Sequence, residues 1–135
     1  MNTDQNICAQ QCLEAAENDT MTFPEIVGKL MVAGFESYAI DLRRSLAIYY
    51  LSSGESIELQ THNDDLTVAA SFDTAALQAA IHQAQTLVPG YSYKGFCRKA
   101  KAAGCAGYLV SFLGRRAVYF GRTGETHVEL FPSAE

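Results

Sequence analysis

No run of this chain approaches the roughly 20 apolar residues that a membrane-spanning helix needs, so a helical span is not expected. Its opening, MNTDQNICAQQCLEAAEND, has neither a basic start nor an apolar centre, which argues against a secretory signal peptide and for a bacterial-type cytoplasm. Basic residues are scarce in the first half. Residues 1–70 hold three, Lys29, Arg43 and Arg44, against eleven acidic ones, a balance of −8. Residues 71–135 hold seven basic and four acidic residues, a balance of +3, so the net charge of −5 conceals two halves of opposite sign. A split of this kind steers self-association or attracts a charged partner.

Recognisable chemistry is missing too. There is no glycine loop to cradle phosphate, no nucleophile-elbow serine and no helix carrying paired histidines for zinc. The four cysteines, Cys8, Cys12, Cys97 and Cys105, lack the spacing of a zinc site and read as reduced thiols packed as small hydrophobes. No metal and no cofactor is therefore expected.

What is present is a globular composition and a repeat. The 135 residues are 48% hydrophobic and 19% charged, which fits one domain, 1–135, with a real core. Shifted by 70 residues, the chain aligns with itself: Lys29 falls on Lys99, Gly34 on Gly104, Tyr38 on Tyr108, Tyr49 on Tyr119 and Glu55 on Glu125. One inserted residue then brings Glu58 onto Glu129 and Leu59 onto Leu130. The period is too long for a solenoid unit. It reads as a duplicated half-domain, about 1–65 and 71–135, whose copies pack about a pseudo-twofold axis like a fused dimer.

Each half has the same local grammar. Thr22 with Glu25 makes a capping box, Ile26, Leu30 and Ala33 share a helical face, and Gly34 ends the helix. Ser92, then Phe96, Ala100 and Ala103, then Gly104 repeat the pattern. Three strands follow each helix: 38–42, 46–52 and 56–60, then 108–113, 117–122 and 126–131, separated by turn residues. An earlier helix precedes each unit. Residues 2–17 form one, with Ile7, Cys8, Cys12 and Ala15 as its apolar side, and a second, capped by Asp73, buries Leu77, Ala80, Ile81 and Ala84. Residues 66–70 are a candidate short strand. The expected class is α+β, an internally duplicated α-α-β-β-β unit with helices packed on a mainly antiparallel sheet.

Two sets of side chains are candidate sites. Tyr49, Tyr119, Glu58, Glu129 and His127 would gather into a ligand pocket if the pseudo-twofold axis brings them to a shared cleft, with His127 flanked on its strand by Glu125 and Glu129. Against this, recurring tyrosines are usual core residues and strand-edge glutamates commonly guard against aggregation. Lys94, Arg98 and Lys101 fall at i, i+4 and i+7 on one helix, and with Arg115 and Arg116 they form a candidate anion site. A pI near 5.1 argues instead for a solvated helix face and against nucleic acid.

The motifs AAGCAGYLVSFLGRRAVYFGRTGETHVELFP and FDTAALQAAIHQAQ resemble the enterobacterial and prophage family called domain of unknown function 1398, some of whose members are labelled phage envelope proteins. The resemblance runs from the first helix to Pro132 and implies no catalytic residue. The leading expectation is an uncharacterised bacterial or prophage accessory protein, non-enzymatic, acting through protein binding or as a homo-oligomer. The alternatives are a small-molecule binder or enzyme with a site at the pseudo-twofold axis, and an anion or nucleic-acid binder using the basic second half.

Overall fold

The computed structural model describes residues 1–131; Pro132, where the resemblance ends, and the three residues after it in the expected domain lie outside the described residues. The element order is α1 (Thr3–Glu17), α2 (Phe23–Val32), β1 (Phe35–Asp41), β2 (Leu46–Leu51), β3 (Ser56–Gln60), then α3 (Thr74–Thr86), α4 (Tyr93–Ala102), β4 (Cys105–Ser111), β5 (Arg116–Gly121) and β6 (Thr126–Leu130). This is the α-α-β-β-β order expected, twice over.

Local chemistry starts and stops the helices where the residue types require. The Thr22 hydroxyl accepts from the Glu25 N–H at 3.4 Å while the Thr22 N–H donates to Glu25 Oε1 at 2.9 Å, the reciprocal capping box. Asn2 and Gln5 do the same for α1, and Asp73 and Ser92 cap α3 and α4. Gly34 and Gly104 follow α2 and α4 at φ +101° and +86°, the left-handed turn that sends the chain into the sheet. The buried side of α1 is Ala9, Cys12, Leu13 and Ala15, so Ile7, expected inside, is exposed. That helix is only weakly amphipathic, and Leu13 rather than Ile7 meets the core. Residues 66–70 form no strand; Ala69 donates instead to the Lys101 carbonyl at the end of α4.

All six strands make one antiparallel sheet in the order β3-β2-β1-β4-β5-β6. The order is a palindrome of the repeat, with β1 and β4 paired at its centre. Ala39 lies directly opposite Leu109, its own counterpart at an offset of 70, so the pseudo-twofold axis passes between them. The outer pairings repeat at the same offset: Tyr38 opposes Tyr49 as Tyr108 opposes Tyr119, and Tyr49 opposes Ile57 as Tyr119 opposes His127. The offset therefore holds through the last strand. Glu58 corresponds to Val128 and Leu59 to Glu129, with no inserted residue, because hairpins with matching turns must keep matching registers. The similar sequences IEL and VEL had suggested otherwise.

One face of the sheet meets the helices. Tyr38, Ile40 and Leu42, Ala47 and Tyr49, and Tyr108, Val110 and Phe112, Ala117 and Tyr119 pack with Leu30, Leu77, Ile81, Phe96 and their neighbours in a single core. Among the described residues no helix is long and apolar enough to cross a membrane.

Candidate functional site

Side chains alternate across a strand, so every inward Tyr38 implies an outward Ala39. The outward set forms three rows running across all six strands. The central row reads Glu58–Ile48–Ala39–Leu109–Val118–Val128. Its flanks read Ser56–Tyr50–Ser37–Ser111–Arg116–Leu130 and Gln60–Leu46–Asp41–Gly107–Phe120–Thr126. Five neighbouring members of the central row are apolar, and the helices leave this face uncovered. Leu109 is 39% exposed, Val128 45% and Leu130 62%. Water-facing sheet faces are normally polar, so an unbroken apolar row sets this one apart.

Three charges frame the row. Glu58 and Asp41 stand in the first half and Arg116 in the second. Asp41 Oδ1 accepts from the N–H groups of Arg43 and Arg44 at 2.9 and 3.0 Å, fixing the β1–β2 turn. Arg116 is exposed, and its Nε donates to the Gly114 carbonyl at 3.2 Å. In one flanking row the Phe120 ring lies over Gly107, where a Cβ would come within 2.7 Å of its Cζ.

The expected ligand set divides. Tyr119, His127 and Glu129 come together: His127 Nε2 and Glu129 Oε2 are 3.0 Å apart, and the His127 and Tyr119 rings are 6.4 Å apart. Gln85 Nε2 approaches Glu129 Oε1 at 3.5 Å. Tyr49 packs in the other half, 5.5 Å from Tyr38, and Glu58 sits on the opposite edge strand and the opposite face. Burial pushes the Tyr49 and Tyr119 hydroxyls well above their ordinary range, so neither exchanges a proton near neutrality. The basic set divides as well. Lys94 and Arg98 are exposed, Arg115 lies 5.9 Å from the Phe131 ring centroid, and Arg116 faces out of the sheet. Lys101 is only 5% exposed and bonds Asp64 Oδ1 at 3.0 Å.

That ion pair belongs to a buried polar cluster at the end of β3. His62 donates its N–H to Glu17 Oε1 at 2.6 Å, and its Nδ1 meets Glu17 Oε2 at 2.5 Å. Tyr93 and Tyr108 share a hydroxyl contact at 2.7 Å. Ser45, Thr61, His62, Tyr93, Cys97 and Lys101 line a cavity of about 10 Å³, room for one water. The repeat supplies an internal comparison. At the equivalent place in the second half stand Arg115, Phe131, Phe23, Val27 and Met31, with Phe23 and Phe131 in edge-to-face contact at 5.5 Å. The scaffold itself thus accepts a largely apolar cluster there, with Arg115 against the Phe131 ring. The polar version ties the connector after β3 to α1 and α4. Burial pushes the Cys97 thiol up to about 12, leaving it protonated and inert.

A wide, shallow groove of about 390 Å³ lies beside the start of α1 and is bordered by Gln5, Gly34, Leu51 and Glu55, with the Met1 ammonium bonded to Glu55 Oε1 at 2.6 Å. Among the described residues no three His, Cys, Asp or Glu side chains are placed to hold a metal ion. The uncovered face was missed in sequence because apolar residues occur on both sides of β4 and β5; the signal was the alternation around Ala39, Leu109, Val118 and Val128.

A family model described as a protein of unknown function, DUF1398, matches residues 10–129. No curated protein matches the chain.

Proposed function

The chain belongs to the DUF1398 family of proteins of unknown function, and within it we propose a non-enzymatic binding module that docks protein on the uncovered face of its sheet. The observation that carries this reading is the apolar row Ile48–Ala39–Leu109–Val118–Val128, open to solvent and framed by Glu58, Asp41 and Arg116. The module is one domain made of two half-domain copies, about 1–65 and 71–135, working in the bacterial cytoplasm as an accessory protein. Free, buried thiols are in keeping with a reducing compartment. Protein fits the face better than nucleic acid: Tyr50 and Phe120 lie in its flanking rows, but a sheet that tracks phosphates needs several cations, and among the described residues of these rows Arg116 is the single one.

A photo-crosslinking amino acid placed at Leu109 tests the reading, with one at exposed Arg98 on α4 as control. Protein adducts are expected from position 109 and not from position 98. Equal adducts from both, or none from 109, would contradict it.

A further inference from the structure

We propose that the partner on this face is a second copy of the same chain, stacked sheet to sheet so that β2 of one copy lies over β5 of the other. The inference rests on the docking reading above and adds the identity of the occupant.

Area permits it. Six strands about 4.8 Å apart and three rows of side chains give a flat footprint of about 30 by 17 Å. Two such faces remove about 1,000 Å² even before side-chain relief is counted, the size at which specific interfaces begin.

Shape and charge then select the arrangement. Two sheets stacked by a twofold axis lying between them can be related in two ways. If the axis runs across the strands, each strand covers its own counterpart. Leu109 then meets Leu109 of the second copy while Ala39 meets Ala39, one contact overfilled and the other hollow. Glu58 also lands against Glu58 of the second copy, a like-charge contact in a drying interface. If the axis runs along the strands, the order reverses: β1 covers β4, β2 covers β5 and β3 covers β6. Leu109 of each copy then fills the space above Ala39 of the other, and Ile48 meets Val118. Arg116 falls over the Tyr50 ring, a cation–π geometry. Glu58, diagonal to Tyr50 in the same sheet, comes within reach of that guanidinium. On the faces themselves, Glu58 and Asp41 in the first half of each copy lie on the side covered by the half of the other copy that carries Arg116. Aligned sheets cross at about −30°, which keeps the pairs near the axis in register and shifts those at the corners.

Sedimentation equilibrium on the full chain tests this. The expected result is a mass of two chains that dissociates on dilution. Leu109→Asp and Ala39→Leu, one charging the knob and the other filling the space it enters, each raise the dissociation constant by about 100-fold while circular dichroism stays native. Arg116→Glu and Glu58→Arg each raise it by about 10-fold, and the two together return it to within about 3-fold of the parent. A single-chain mass at every concentration overturns the inference, as does a dimer indifferent to both Leu109→Asp and Ala39→Leu. The crosslinker at 109 separates the two levels of the account. A single-chain mass with adducts to a different protein removes only the second copy; a single-chain mass with no adduct removes the docking reading as well.

Discussion

Lys101 stands where the first repeat has Met31, and the exchange isolates what one buried charge does. Its ammonium holds the Asp64 carboxyl below the usual carboxylate range, the direct hydrogen bond being the main cause. A carboxyl depressed by folding contributes stability above its unfolded pKa of about 3.9, and that contribution is lost as pH falls through the folded value. Lys101→Met alone leaves the half-buried Asp64 carboxylate with the Leu66 N–H but without its counter-charge, and is expected to cost about 2 kcal/mol at pH 7. The loss should shrink below about pH 4, and the double variant with Asp64→Asn should recover most of it. Urea unfolding at pH 7 and pH 3 reads both effects; an equal loss at the two values would contradict the assignment. None of this was legible locally. Spacing placed Lys101 on a face with Lys94 and Arg98, but its burial depends on Asp64, 37 residues away in the connector. The Glu17–His62 contact, spanning 45 residues, was hidden for the same reason.

At the scale of elements, the features read most directly were those set by neighbours in sequence. The Thr22–Glu25 box, the Asp73 cap and the strand breaks depend on a few adjacent residues, and each element forms where those residues direct it. Register was harder. The inserted residue aligns Glu58-Leu59 with Glu129-Leu130 and the unbroken offset does not, yet the ladders follow the offset. Equivalent glycines also carry unequal demands. A Cβ on Gly104 would stand 2.1 Å from the Ser71 carbonyl oxygen, whereas one on Gly34 would meet only the Gln5 amide tip at 3.4 Å. Both have positive φ, so each alanine substitution costs about 1 kcal/mol for conformation. Gly104→Ala must also displace backbone and should cost about 3 kcal/mol or more, with the excess over Gly34→Ala measured by thermal unfolding. Equal losses at the two sites would contradict the close approach of the connector. Thr22→Ala, removing one half of a capping box, should cost about 1 kcal/mol in the same assay.

For the whole molecule, the repeat predicted the symmetry and not the surface. Duplication explains why β1 pairs with β4 and why the sheet is a palindrome. It does not say which side the helices cover, because β4 and β5 present apolar residues on both sides, Val110 and Tyr119 inward and Leu109 and Val118 outward, while in β6 the apolar Val128 and Leu130 point outward and His127 and Glu129 inward. Once the helices are placed, the outward set is left unused by folding and by symmetry. Methyl resonances give the most direct test that it is a contact surface. On raising the concentration of the purified chain, the methyls of Ile48, Leu109, Val118 and Val128 should shift together and saturate, while those of the buried Leu30 and Leu77 and of the exposed Val32 and Leu113 stay fixed. Shifts confined to Val32 and Leu113, or none on the sheet face at any concentration, would contradict the account.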